Sequence, residues 1–123
     1  MTLNDAIERV DALKPNNYSD DEKVQWLSDL DLMIHKEVIL THKHDEESES
    51  FEGYTMEDLN KPLIVTAPYD KLYISYLSSK IDYFNCEYGK YNNSVTMFRA
   101  DYSEFCSYYN RNVMPIGGRL RYF

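Results

Sequence analysis

The chain has 123 residues, 21 Asp/Glu against 13 Lys/Arg for a formal net charge of −8, and 12 tyrosines. That length suits one hydrophobic core and leaves little room for a second domain. Gripping a nucleic-acid backbone needs clustered cations to displace counterions, and Arg119 with Arg121 is the one such pair, so direct DNA binding is disfavoured.

The charge is uneven. Residues 1–62 hold 6 Lys/Arg and 16 Asp/Glu, net −10, while residues 63–123 hold 7 and 5, net +2. No charged-then-apolar leader opens the sequence and no apolar run nears spanning length, so the expectation is a cytoplasmic protein without membrane contact.

Thr2 with Asp5 reads as a capping arrangement before Leu3, Ile7, Val10 and Leu13, predicting a helix near 3–14 that Pro15 stops. Ser19 followed by Asp20, Asp21 and Glu22 is a stronger capping box. Val24, Leu27, Leu30, Ile34 and Val38 then form a core stripe, predicting a helix over 20–41. Trp26, Met33 and Leu40 lie on a neighbouring face. Residues 42–61 turn polar and acidic with few apolar anchors, Phe51, Tyr54, Met56 and Leu59, and read as a mobile loop. The proline-bracketed run 62–68 reads as an extended loop packed on the core.

Pro68 suits a first helical position and Asp70 the positive end of the dipole, predicting a helix over 68–89. Its Ile74, Leu77, Ile81, Phe84 and Tyr88 fall in one stripe; Tyr69, Leu72, Tyr73, Tyr76 and Tyr83 form a second. A tight turn at Gly89–Asn93, with Asn93 as N-cap, leads into a helix over 94–111 carrying Val95, Phe98, Tyr102, Phe105 and Tyr109, followed by a flexible tail 115–123. The fold class is all-α: a single domain, 1–123, built as a bundle of about four helices, with a long acidic loop between the second and third and a C-terminal helical hairpin.

The tyrosine stripe has two readings. Tyrosine can cover core with its ring while its hydroxyl stays wet, and it is also a favoured protein–protein anchor, burying much area for little rotamer entropy. On the second reading Tyr69, Tyr73, Tyr76 and Tyr83 are contact residues, joined by Arg119, Arg121 and Phe123 of the tail. Cys86 and Cys106 each fall inside a predicted helix; a hairpin folded about residue 91 or 92 separates them by more than about 10 Å along the axis, so both read as reduced, buried residues. His42 and His44 beside Asp45–Glu47 lack a second spaced ligand pair, and no nucleophile has a base at a recognisable spacing, so neither metal nor other cofactor is expected and the chain reads as a non-enzyme.

Three stretches, NDAIERVDALKPNNYSDDEKVQWLSDLD, APYDKLYISYLSSKIDYFNCEYGKYNNSVTMF and YYNRNVMP, together resemble a small protein of phages and prophages of Gram-positive bacteria. Such proteins are commonly encoded among virion morphogenesis genes and resemble head–tail connector, or head-completion, proteins. The resemblance implies a helical subunit of a ring joining portal and tail, with itself and portal or tail-completion proteins as partners. It also implies a lumen that DNA can traverse without sequence-specific contact, and a place in the host cytoplasm during assembly and then in the virion. The rival expectation is an acidic prophage regulator or DNA mimic that occupies a host DNA-binding protein.

Overall fold

A computed structural model describes residues 1–42 and 50–113. Within them the protein is a small all-α bundle with no β-strand. The first helix, α1 (Leu3–Leu13), begins with a closed capping box: Thr2 Oγ1 accepts the Asp5 N–H at 3.1 Å and the Asp5 carboxylate accepts the Thr2 N–H at 3.0 Å. The free N–H groups of its first turn find partners in a later segment. Leu3 and Asn4 donate to the carbonyls of Lys61 and Leu59, and Leu63 donates to that of Met1, so residues 59–63 clasp the start of α1 through an isolated antiparallel bridge between Thr2 and Pro62.

The second helix, α2 (Asp20–Ile34), is capped by Ser19, whose hydroxyl accepts the Glu22 N–H at 3.2 Å, and runs on through a π-helical turn, His35–Ile39. All five positions of its predicted stripe are buried. The third helix, α3 (Lys71–Phe84), and the fourth, α4 (Tyr88–Asn112), form the antiparallel hairpin, and theirs is the most extensive pairing among the described elements. The core lies where α1, α2 and α3 meet, closed by Leu63 and Val65; α4 contributes one fully buried side chain, Phe105.

Several boundaries differ from expectation. The turn closed by the Tyr69 N–H on the Thr66 carbonyl occupies the place of a first helical turn, so α3 starts at Lys71 instead of Pro68. The hairpin turn is at Asn85–Glu87, not Gly89–Asn93. Cys86 adopts a left-handed conformation with φ 59°, its N–H donates to Tyr83, and the Glu87 N–H reaches back to Asp82. This 6→1 and 5→2 pair is the Schellman arrangement that ends helices, with cysteine where glycine is usual. Gly89 and Asn93 consequently sit inside α4, and Cys86 is exposed at the turn instead of buried in a helix; Cys106 is half-buried, and both thiols are free.

Part of the expected mobile loop 42–61, residues 43–49, lies outside the described residues. Its two flanks are anchored at particular residues, while Ser50, Glu52, Thr55–Glu57, Asn60 and Lys61 stay exposed. The His42 ring meets the Val38 carbonyl and the Asn110 side chain, each at 2.7 Å, and stands edge-on to Tyr109. Tyr54 is buried, its N–H held by Ser28 Oγ at 3.0 Å, and Thr55 caps a 3-10 turn at Met56–Asp58. Gly53, at φ 99°, leaves space that a Cβ would take from Ser28 Oγ, which explains how the chain passes so close to α2.

Candidate interaction surface

The four tyrosines of the predicted stripe have three different surroundings. Tyr73 is completely buried. Its phenol donates to Asp31 Oδ1 at 2.7 Å and accepts the Val65 N–H at 2.8 Å, so it is a core residue and the contact role expected of it is corrected. Tyr69 and Tyr76 are half-buried in the α3–α4 seam: Tyr69 stacks on Tyr108 with centroids 4.5 Å apart, and Tyr76 leans on Phe98 at 5.1 Å with Lys80 over its ring. Tyr83 alone projects, with 49% of its surface exposed. Arg119, Arg121 and Phe123 lie outside the described residues.

Asp31 is the hub of the buried polar network. Besides Tyr73 it accepts from the Tyr54 hydroxyl and, at 3.1 Å, from the Ile64 N–H. Burial outweighs these three donors and holds its carboxyl above the usual aspartate range, while the same burial and the neighbouring carboxylate push both phenols well above the usual tyrosine range. The network is structural, tying α2 to α3 and to the 54–65 segment. Burial also raises the Cys106 thiol, away from the thiolate that nucleophilic chemistry uses. Among the described residues no group of three or more His, Cys, Asp or Glu is placed to hold a metal ion; His44 lies outside them.

Two grooves flank the hairpin. One, of about 690 Å³, runs between the end of α1 and the α3–α4 seam, with Leu13 and Met97 exposed on its walls and Lys71 Nζ 3.9 Å from Asp101 in its lining. The other, of about 380 Å³, is bordered by Tyr76, Tyr83, Tyr91 and Phe98, with Lys80 and Arg99 at its edge.

The most distinctive surface is at the turn end of the hairpin. Phe84 is half-exposed and lies flat on Trp26, centroids 5.6 Å apart and planes within 6°, while Tyr18 closes on both rings from the α1–α2 link. On the other side Tyr83 touches Phe84, Tyr88 and Tyr91, and Tyr88 is 58% exposed. Six aromatic rings thus form one continuous patch. Its frame is rigid: Tyr18 Oη donates to Asn85 Oδ1 at 2.7 Å, Ser94 Oγ donates to the buried Asp82 at 2.6 Å, and Lys14 pairs with the other Asp82 oxygen at 2.9 Å. Buried Lys23 fixes the link itself by donating to Asp11 and the Tyr18 carbonyl.

Of these rings only Tyr83 was singled out by the sequence pattern as a contact residue. Phe84 and Tyr88 share the period of the core stripe, and what moves them outward is the helix ending at Asn85, a stop without a glycine to signal it. No family model, no curated protein and no solved structure matches the chain. Among the described residues, no helix is long and apolar enough to cross a membrane.

Proposed function

We propose that this chain is a non-enzymatic virion assembly protein, a head–tail connector subunit that joins portal and tail by presenting the aromatic end of its α3–α4 hairpin to a neighbouring protein. The patch of Tyr83, Phe84 and Tyr88 carries this reading. Large rings, two of them tipped by a hydroxyl, held in a stiff frame and left half in water, gain most from burial against another protein surface. The acidic first half supports it as well, since carboxylates lining a ring would repel the phosphates of DNA in transit. The phage resemblance of the sequence supplies the biological setting.

The test is the solution mass of the protein across a concentration series, alone and with the portal protein encoded by the same phage. A ring-sized species or a stable portal complex is expected, and Tyr83→Ser with Tyr88→Ser should weaken it while circular dichroism stays unchanged. A monomer at every concentration that ignores the portal would overturn the connector reading.

A further inference from the structure

We infer that the notch between α3 and α4, bordered by Tyr76, Phe98, Tyr83 and Tyr91, receives an aromatic side chain from an acidic segment of a partner protein. The inference deepens the reading proposed above and rests on it for the occupant being another protein, though not for that protein being the portal.

The shape of the notch follows from the register of the hairpin. Tyr76 meets Phe98 at 5.1 Å and Tyr83 meets Tyr91 at 5.4 Å, so two ring pairs bridge the helices. The pairs are two turns apart on each helix, about 10.5 Å along the axis. Between them the same register brings Ser79 level with Val95, and neither side chain has the bulk of the rings on either side. The groove of about 380 Å³ is the volume they leave open. Ser79 Oγ is turned back onto the Tyr76 carbonyl at 2.7 Å, so this wall is short of donors as well as of bulk. A ring entering here would meet aromatic neighbours at both ends, and such contacts add to the gain from area burial.

Charge selects the occupant. The lining includes Lys80 and Arg99 and no carboxylate, whereas that of the larger groove mixes its cations with Asp70 and Asp101. Among the described residues Lys14, Lys23, Lys61, Lys71 and Lys90 each have a carboxylate within ion-pair distance, and Lys80 and Arg99 have none. Lys80 lies over the Tyr76 ring, 5.4 Å from its centroid, and Arg99 is exposed. Burial raises the Tyr76 phenol and Asp29 of α2 raises it further, but that carboxylate does not line the groove and accepts from Gln25 at 3.0 Å. Two cations without carboxylate partners, beside an apolar notch, favour a ring flanked by Asp or Glu. A nucleic-acid backbone fits poorly, because two cations on a chain of net charge −8 offer its phosphates too little to offset their repulsion.

An NMR titration of the full chain tests this. The probe is the peptide acetyl-Asp-Glu-Phe-Asp-Glu-amide, one ring between pairs of carboxylates. Added up to about 5 mM, it should shift the amide signals of Ser79, Lys80, Val95 and Arg99 along saturating curves. Putting Ala for Phe in the peptide, or Lys for all its acids, should weaken binding by about tenfold or more. In the protein, Val95→Phe should fill the notch, and Lys80→Gln with Arg99→Gln should discharge it, each again at a loss of about tenfold or more in affinity with circular dichroism unchanged. The charge variant breaks no ion pair of the described fold, so it decides the matter if Val95→Phe does not fold. Absence of saturating shifts at these amides, or equal binding of the lysine peptide, would overturn the inference even if the protein forms rings or joins the portal. A single-stranded oligothymidylate that binds as tightly as the acidic peptide would overturn it too, by making the notch a nucleotide site. Saturating peptide binding in a protein that neither assembles nor joins the portal would leave it standing and remove the connector reading instead.

Discussion

Tyr73 and Asp31 meet in the core through a 2.7 Å hydrogen bond, and the same phenolic oxygen accepts the Val65 N–H. One hydroxyl thereby links α3, α2 and the 62–66 connection. Tyr73→Phe keeps the ring and its packing but leaves the Val65 N–H without its acceptor and takes one donor from a buried carboxylate. The expected cost is about 3 kcal/mol, read as a lowered urea midpoint with an unchanged slope.

Asp31 gives the fold a distinctive acid response. Its folded-state pKa is raised, chiefly by burial, so the folded chain holds the proton more firmly than the unfolded chain does. That contribution is fully present below the unfolded aspartate value and is lost as pH rises through the folded one. Asp5, Asp58 and Glu87, whose pKa values are lowered by local hydrogen bonds, act in the opposite sense, but they are common to any variant compared with wild type. Relative to Asp31→Asn, wild type should therefore lose stability as pH climbs from about 3.8 upward and then level off. Urea titrations of the two proteins at matched pH values measure the difference; parallel curves would sink the assignment.

The parts of this fold legible in the sequence are those fixed by local chemistry. Thr2–Asp5 closes its expected capping box, Ser19 caps α2 through the Glu22 N–H although the Glu22 carboxylate meets the Ser19 hydroxyl and not its N–H, and the stripe from Val24 to Val38 is buried throughout, because these signals depend on neighbours within a turn or two. The tyrosine stripe shows the limit of periodicity. It states which side of α3 a residue occupies but not how far its covering elements extend, so Tyr73, beneath α2 and Val65, is core while Tyr83, ten residues on, overhangs the end. Asp31 was hidden for a related reason: its partners Tyr54, Ile64 and Tyr73 are remote in sequence, and a single carboxylate between Leu30 and Leu32 carries no sign of them.

The misplaced turn yields a prediction of its own. Cys86 occupies a left-handed position that costs a side-chain-bearing residue about 1 kcal/mol, whereas Gly89, in the first turn of α4, has open space around its missing Cβ. Exchanging their roles should help at both places: Cys86→Gly and Gly89→Ala should each raise stability, by up to about 1 kcal/mol apiece. Thermal melts of the single and double variants check it. A loss of stability in Cys86→Gly would mean that the contact between its thiol and the Tyr88 hydroxyl, the main cause of the raised Tyr88 pKa, outweighs the backbone strain.

Phe84 lies flat on Trp26, and Tyr18 meets the same indole edge-on. Removing it in Phe84→Ala should open one face of the indole to water while leaving the α1–α2–α3 core intact, since Phe84 is itself half-exposed. The stability loss should be modest, about 1 to 2 kcal/mol, below the range for truncating a fully buried phenylalanine. Trp26 emission should shift to the red, and quenching by iodide should increase. Because the chain has one tryptophan, both signals belong to this patch without deconvolution. Emission that stays blue in a folded Phe84→Ala variant would mean that Trp26 is covered by something other than Phe84, and the aromatic end of the hairpin would then be a smaller surface than the six stacked and tilted rings describe.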